Sequence, residues 1–120
     1  MLRGKRVAVV EDEPPIGMIL GIMLDELGCV HAGSAKTLSE ALILSEGIEA
    51  DAVLLDYRLK GEFSESAALS FLERGIKVVL TTGADIRDLP VTLQTCAVIQ
   101  KPFGLDNIER GLVEALTGVH

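Results

Sequence analysis

The stretch Val53-Leu54-Leu55-Asp56 constrains the fold more than any other part of the chain. An aliphatic run without polar alternation must be covered on both faces, as in a parallel sheet flanked by helices. Its end is abrupt, and it delivers one carboxylate into the loop that follows. The same pattern occurs at Val7-Ala8-Val9-Val10 before Glu11-Asp12-Glu13, and at Val78-Val79-Leu80 before Thr81-Thr82-Gly83. It recurs at Ala97-Val98-Ile99, which runs through Gln100 into Lys101-Pro102-Phe103. In sheets of this kind ligands bind just beyond the carboxyl ends of the strands. As parallel neighbours, these runs bring carboxylates, a hydroxyl and an ammonium to one sheet edge.

The intervening segments read as helices. Pro14-Pro15 suits a first helical turn, and Gly28 ends a helix reaching about Leu27. At about 100° per residue, Ile16, Ile19, Leu20, Met23, Leu24 and Leu27 form its core face, leaving Met18 and Ile22 opposite. A weaker strand at Cys29-Val30-His31-Ala32 belongs at a sheet edge. Thr37-Leu38-Ser39-Glu40 has the capping-box pattern and opens a helix through about Ser45, closed by Gly47. After the loop from Tyr57 to Phe63, a helix runs from near Ser64 to Gly75 with Ala68, Leu69 and Leu72 inward. Pro90 allows only a short or irregular helix before the fifth strand. A last helix then turns Leu105, Ile108, Leu112 and Leu116 inward. Right-handed crossovers between five parallel strands give a doubly wound, three-layer α/β sandwich.

A chain of 120 residues with 48% hydrophobic content is expected to be one domain, spanning 1–120 with no output domain after it. A net charge of -7 and the lack of any basic run argue against nucleic acid or anionic membrane as the main partner. No run approaches the roughly 18 apolar residues of a membrane span, and the N-terminus lacks a signal-peptide core, so a cytoplasmic location is expected. Cys29 and Cys96 stand apart without metal-ligand or redox spacing and read as packed thiols. His31 and His120 have no second ligand nearby and read as structural or solvated.

Glu11, Asp12 and Asp56 at adjacent strand ends repel one another, by roughly 4 kcal/mol for two carboxylates about 4 Å apart at an effective dielectric of 20. A divalent cation relieves that conflict, and an oxygen-only site with room for water suits Mg²⁺ better than Zn²⁺. A carboxylate beside Mg²⁺ is a nucleophile for phosphoryl groups, whose loose transition state needs positioning and positive charge. Lys101 supplies that charge, and a cis Lys101–Pro102 bond would fix its direction. The Thr82 hydroxyl can donate to a phosphoryl oxygen, with open space at Gly83. Turn chemistry alone also explains Thr82.

In order and spacing, Glu11-Asp12, Asp56, Thr82 and Lys101-Pro102-Phe103 closely resemble the signature of the receiver domain of two-component response regulators. The resemblance covers the whole chain and implies a flavodoxin-like sheet of order 2-1-3-4-5. It implies that Asp56 accepts a phosphoryl group from a phosphohistidine on a histidine kinase or a histidine phosphotransferase. It further implies that Asp12, Asp56 and the backbone carbonyl of Arg58 ligate Mg²⁺, that Glu11 acts through water, and that Thr82 and Lys101 hold the phosphoryl group. Such a protein assists its own phosphorylation and dephosphorylation without being a conventional enzyme.

Two departures stand out. Val98 occupies the fifth-strand position where many receivers carry a Tyr or Phe that reports phosphorylation. The loop after Asp56 lacks the frequent Met-Pro; with Thr82-Gly83, this resembles an alphaproteobacterial subgroup of stand-alone receivers with a Phe-Ala-Thr-Gly motif, although Leu80 and Thr81 replace its Phe and Ala. Arg58, two residues past Asp56, is placed to influence acyl-phosphate lifetime. Met18 and Ile22 read either as ordinary surface scatter or as a docking patch for the phosphohistidine donor. The segment from Ala84 to Phe103 leaves a dimer face open as a question. Two other functions compete: a degenerate receiver that binds proteins without phosphorylation, and a Mg²⁺-dependent phosphatase with Asp56 as nucleophile. The phosphatase class needs a second Asp where this chain has Arg58.

Overall fold

Strand β1 (Arg6–Val10) lies between β2 (Val30–Ala35) and β3 (Ala52–Asp56), and β3 is followed in the sheet by β6 (Lys77–Thr82) and β7 (Ala97–Gln100). All four pairings are parallel, giving the order β2-β1-β3-β6-β7. The computed structural model describes residues 1–118, so the reading of His120 lies outside the described residues. The order is the expected 2-1-3-4-5. The last two strands take higher numbers because a small antiparallel hairpin, β4 (Arg58–Leu59) and β5 (Glu62–Phe63), intervenes.

Because side chains alternate across a strand, each central strand feeds two cores. Val7 and Val9 of β1, Leu54 of β3 and Ile99 of β7 pack with Leu20 and Leu24 of α1 (Pro14–Glu26) and Ile108 and Leu112 of α4 (Leu105–Thr117). On the other face Ala8, Val10, Val53, Leu55 and Leu80 pack with Ala41 of α2 (Leu38–Gly47) and with Ala67, Ala68 and Phe71 of α3 (Glu65–Glu73). Every residue of β3 is buried, as its unbroken apolar run requires. That places Asp56 at the centre of the sheet.

The local signals largely hold. Pro14 and Pro15 open α1, and the Thr37 hydroxyl caps α2 by accepting the N–H of Glu40 at 3.1 Å. The second strand is an edge strand, but it runs from Val30 to Ala35, beyond the expected Ala32. A register shift at Val7/Ala8 lets it continue as far as β1 does. Between β6 and β7 the chain makes only two 3₁₀ turns, Ile86–Asp88 and Val91–Leu93, on either side of Pro90. Cys29 is buried and Cys96 half-buried, both as free thiols.

Three helical faces differ from expectation. Ile19, assigned to the core side of α1, is 47% exposed. The stripe of α1 that meets the sheet is narrower than the apolar sector, and only Leu20 and Leu24 are fully buried in it. In α3, Leu69 and Leu72 face outward while Ala67, Ala68 and Phe71 are buried. The small alanines admit α2 closely, and the Ser45 and Ser70 hydroxyls meet at 2.6 Å between the two helices. In α4 Leu105 lies on the rim, while Ile108 and Leu112 are buried and Leu116 packs half-buried against the same core.

Candidate phosphoryl-acceptor site

The carboxyl edge of the sheet assembles the predicted residues. β1 ends at Val10 and β3 at Asp56, and their parallel pairing sets Glu11 and Asp12 beside Asp56. Carboxylate oxygens of Glu11, Asp12 and Asp56 all lie within 4.8 Å of one another. From β7 the backbone N–H of Lys101 donates to the carbonyl of Thr82 at 2.8 Å, and the Lys101–Pro102 bond is cis. The Lys101 ammonium lies 2.9 Å from Asp56 Oδ2 and 3.4 Å from Glu11 Oε1. Asp12, Asp56, Arg58, Thr82, Gly83 and Lys101 share a cavity of about 490 Å³.

Electrostatics explain the strain of this arrangement. Glu11 is 4% exposed, and burial pushes its carboxyl from an ordinary 4.5 to about 7. The negative Asp56 and a hydrogen bond with Asp12 add to the rise, against the Glu13 N–H and the Lys101 charge. Burial also works against ionisation of Asp12. The Lys60 N–H on its Oδ2 at 3.0 Å, the Glu11 side chain and Lys101 outweigh burial and hold Asp12 below the usual carboxylate range. Partial burial disfavours the Lys101 ammonium, but its contacts with Asp56 and Glu11 more than compensate and raise its pKa.

Thr82 is buried, and its Oγ1 accepts the N–H of Ala84 at 2.9 Å. Turn chemistry is therefore present, and the hydroxyl proton remains free to be donated elsewhere. Arg58 is exposed at the cavity wall, and its backbone N–H approaches Asp56 Oδ1 at 3.3 Å.

Where the sequence reads as a loop from Tyr57 to Phe63, the structure has a hairpin. Lys60 and Gly61, with φ of 50° and 84°, form its two-residue turn, and the tip N–H of Lys60 is the group bound to Asp12. Ser64 anchors the base: its buried hydroxyl donates to the carbonyl of Asp56 at 2.7 Å and lies 3.1 Å from that of Tyr57. Arg58-Leu59 and Glu62-Phe63 around Lys60-Gly61 carried that signal in the sequence, but two-residue strands are too short for alternation to stand out.

The donor set fits a hard divalent cation, since three clustered carboxylates face a single ammonium and one of them retains a proton near neutrality in the absence of a cation. A doubly wound parallel sheet of this order, with an acidic cluster, a hydroxyl and a lysine at successive strand ends, defines the receiver class of response regulators.

Comparison with solved structures narrows this further. SdrG from Sphingomonas melonis Fr1 is 32% identical with a TM-score of 0.82, the match covering 97% of this chain and 99% of that one. A second structure of SdrG, described as its BeF3-activated conformation, matches at 31% identity and a TM-score of 0.80 over 97% and 99% of the two chains. The response regulator REC domain of Erythrobacter litoralis PhyR is 26% identical with a TM-score of 0.83, over 96% and 92% of the chains. The response regulator PhyR from Brucella abortus is 30% identical with a TM-score of 0.82, over 96% of this chain and 49% of that one. The chain belongs to the response regulator receiver family. No family model and no curated protein sequence matches it.

Proposed function

We propose that Asp56 accepts a phosphoryl group from a phosphohistidine of a histidine kinase or histidine phosphotransferase, in a reaction that requires Mg²⁺. The observation that carries this reading is the Lys101 ammonium, 2.9 Å from an Asp56 carboxylate that is clustered with Glu11 and Asp12. Asp12, Asp56 and the carbonyl of Arg58 would hold the cation, with Glu11 acting through water. When bound, Mg²⁺ supplies positive charge to the phosphoryl oxygens. An Asp56 carboxylate oxygen would bond to phosphorus as the phosphorus–nitrogen bond of the donor phosphohistidine breaks and its imidazole leaves with the bonding pair, while Lys101 turns its ammonium to an equatorial oxygen and the Thr82 hydroxyl donates to another. The small Gly83 leaves room for the incoming group. That SdrG has a conformation described as BeF3-activated supports phosphoryl chemistry at the corresponding site here.

The donor docks, in this reading, on α1 near Met18 and Ile22, which are 70% and 59% exposed. They border a groove of about 430 Å³ whose floor includes Gly17, Gly21 and His31 and which reaches Glu11. The product then signals by protein contact or passes its phosphoryl group on, in the cytoplasm. No helix among the described residues is long and apolar enough to cross a membrane. The recurrence of SdrG and PhyR among its relatives supports the subgroup with the Phe-Ala-Thr-Gly motif.

Intact-protein mass after incubation with acetyl phosphate tests the central claim. One added phosphoryl group is expected, lost on removing Mg²⁺ and absent in Asp56→Asn. If neither this donor nor a phosphorylated kinase modifies the wild type, and beryllofluoride does not bind, the phosphoacceptor reading is wrong. Met18→Glu and Ile22→Glu should slow transfer from the kinase while leaving acetyl phosphate labelling unchanged. Decay of the adduct in Arg58→Ala is expected to differ from that of the wild type.

A further inference from the structure

Arg58 and Phe63 are a cross-strand pair of the hairpin, and the guanidinium carbon of Arg58 lies 5.0 Å from the centre of the Phe63 ring. Tyr57 backs the same ring, with centroids 5.1 Å apart and planes inclined by 37°. Phe63 is 56% exposed, so neither core depends on it. Arg58 meanwhile has its backbone at the acceptor carboxylate and lines the cavity that contains Asp56, Thr82 and Lys101. Among the described residues no carboxylate forms an ion pair with it. Lys60 and Lys101 also line this cavity, but among the described residues neither lies over an aromatic ring; it is the Arg58 guanidinium that is drawn onto the face of Phe63.

We infer that Phe63 is a positioning residue: it holds the Arg58 guanidinium away from the phosphorylated Asp56 and thereby shortens the life of the acyl phosphate. The inference rests on the phosphoacceptor reading of Asp56. In hydrolysis a water oxygen bonds to phosphorus while the bond from phosphorus to the Asp56 oxygen breaks. The carboxylate leaves with the bonding pair, and both water protons stay on the inorganic phosphate released. The water must enter in line, opposite the Asp56 oxygen, from the open mouth of the cavity. A guanidinium released from Phe63 can swing to that mouth, pair in bidentate fashion with phosphoryl oxygens and block the path. Held on Phe63, it leaves the path open.

The test is the decay of the adduct formed with acetyl phosphate and Mg²⁺, followed by intact mass after desalting. Phe63→Ala should lengthen the half-life about two- to fivefold, the factor expected from releasing an exposed cation–π contact. Phe63→Tyr, which keeps the ring, should decay like the wild type. In an Arg58→Ala background Phe63→Ala should have no effect. An unchanged or shortened half-life in Phe63→Ala, or a change that persists without Arg58, overturns the inference while leaving the role of Asp56 intact. Absence of any adduct on the wild type overturns the reading of Asp56 and this inference with it. The contact itself is read without phosphate from the Arg58 Nε–H resonance, whose ring-current shift should vanish in Phe63→Ala; no shift in the wild type also overturns it.

Discussion

The Lys101 ammonium stands 2.9 Å from Asp56 Oδ2 and 3.4 Å from Glu11 Oε1, so one cation from the last strand end links carboxylates from two others. Removing it leaves two buried carboxylates without their counter-ion and, in the proposed phosphotransfer, the phosphoryl oxygens without a positive partner. Lys101→Ala should slow adduct formation from acetyl phosphate about 100-fold, comparable to deleting one donor from a pre-organised anion site. Lys101→Arg should restore only part of the rate, because a planar fork does not replace a compact ammonium. Rates taken from intact-mass time courses check both variants.

Glu11 makes the cation-free protein sensitive to pH. Its carboxyl is raised from 4.5 to about 7, so the native state keeps a proton that the unfolded chain has lost. This contribution to stability is fully present below pH 4.5 and is lost as pH rises through about 7. Glu11→Gln removes the penalty of ionising a buried group, and should stabilise the cation-free protein at pH 8 by about 1–3 kcal/mol. Urea unfolding at pH 5.5 and pH 8, with and without Mg²⁺, measures this. Saturating Mg²⁺ should reverse the ranking, since the wild type then benefits from the charge that the variant lacks.

Ser64 ties the hairpin to the end of β3 through its bonds to the Asp56 and Tyr57 carbonyls. Ser64→Ala removes a fully buried hydroxyl and should cost about 1–3 kcal/mol, because the carbonyls lose a partner in a place that water does not reach. The same substitution should weaken Mg²⁺ binding, since the Arg58 carbonyl proposed as a ligand sits on the first strand of that hairpin. Denaturant unfolding and a Mg²⁺ titration distinguish the two effects.

Gly111 lets α4 settle on the sheet. A Cβ there would lie 2.7 Å from Ile99 Cδ1 and 3.2 Å from Val79 Cγ1. Gly111→Ala should gain about 1 kcal/mol of helix propensity and lose about 1–3 kcal/mol to overpacking, a small net destabilisation. In an Ile99→Val background, where Cδ1 is absent, the loss should shrink. A double-mutant cycle on unfolding free energies reads the coupling directly.

Much of the site was legible because its residues end their strands or come just after them. A parallel strand buried on both faces has an unbroken aliphatic run, so its end is visible in the sequence, and the position of Asp56, Thr82 and Lys101 follows from that end. The hairpin was hard to read, because its strands of two residues each are too short for alternation to stand out and its tip is held by Asp12 from a distant segment. So were the inward faces of α1 and α3. Periodicity finds an apolar sector, but Ile19, Leu69 and Leu72 show that the neighbouring layers choose which part of that sector is covered.

The sequence by itself therefore determined the sheet, the order of its elements and the residues brought to its carboxyl edge, because burial on both faces and short connections leave few alternatives. Only the tertiary structure decided how those residues face one another. The 2.9 Å contact of Lys101 with Asp56, the raised pKa of Glu11 and the guanidinium of Arg58 over Phe63 depend on how separate segments are packed together. Their geometry and charge balance arise from packing, which local sequence does not encode.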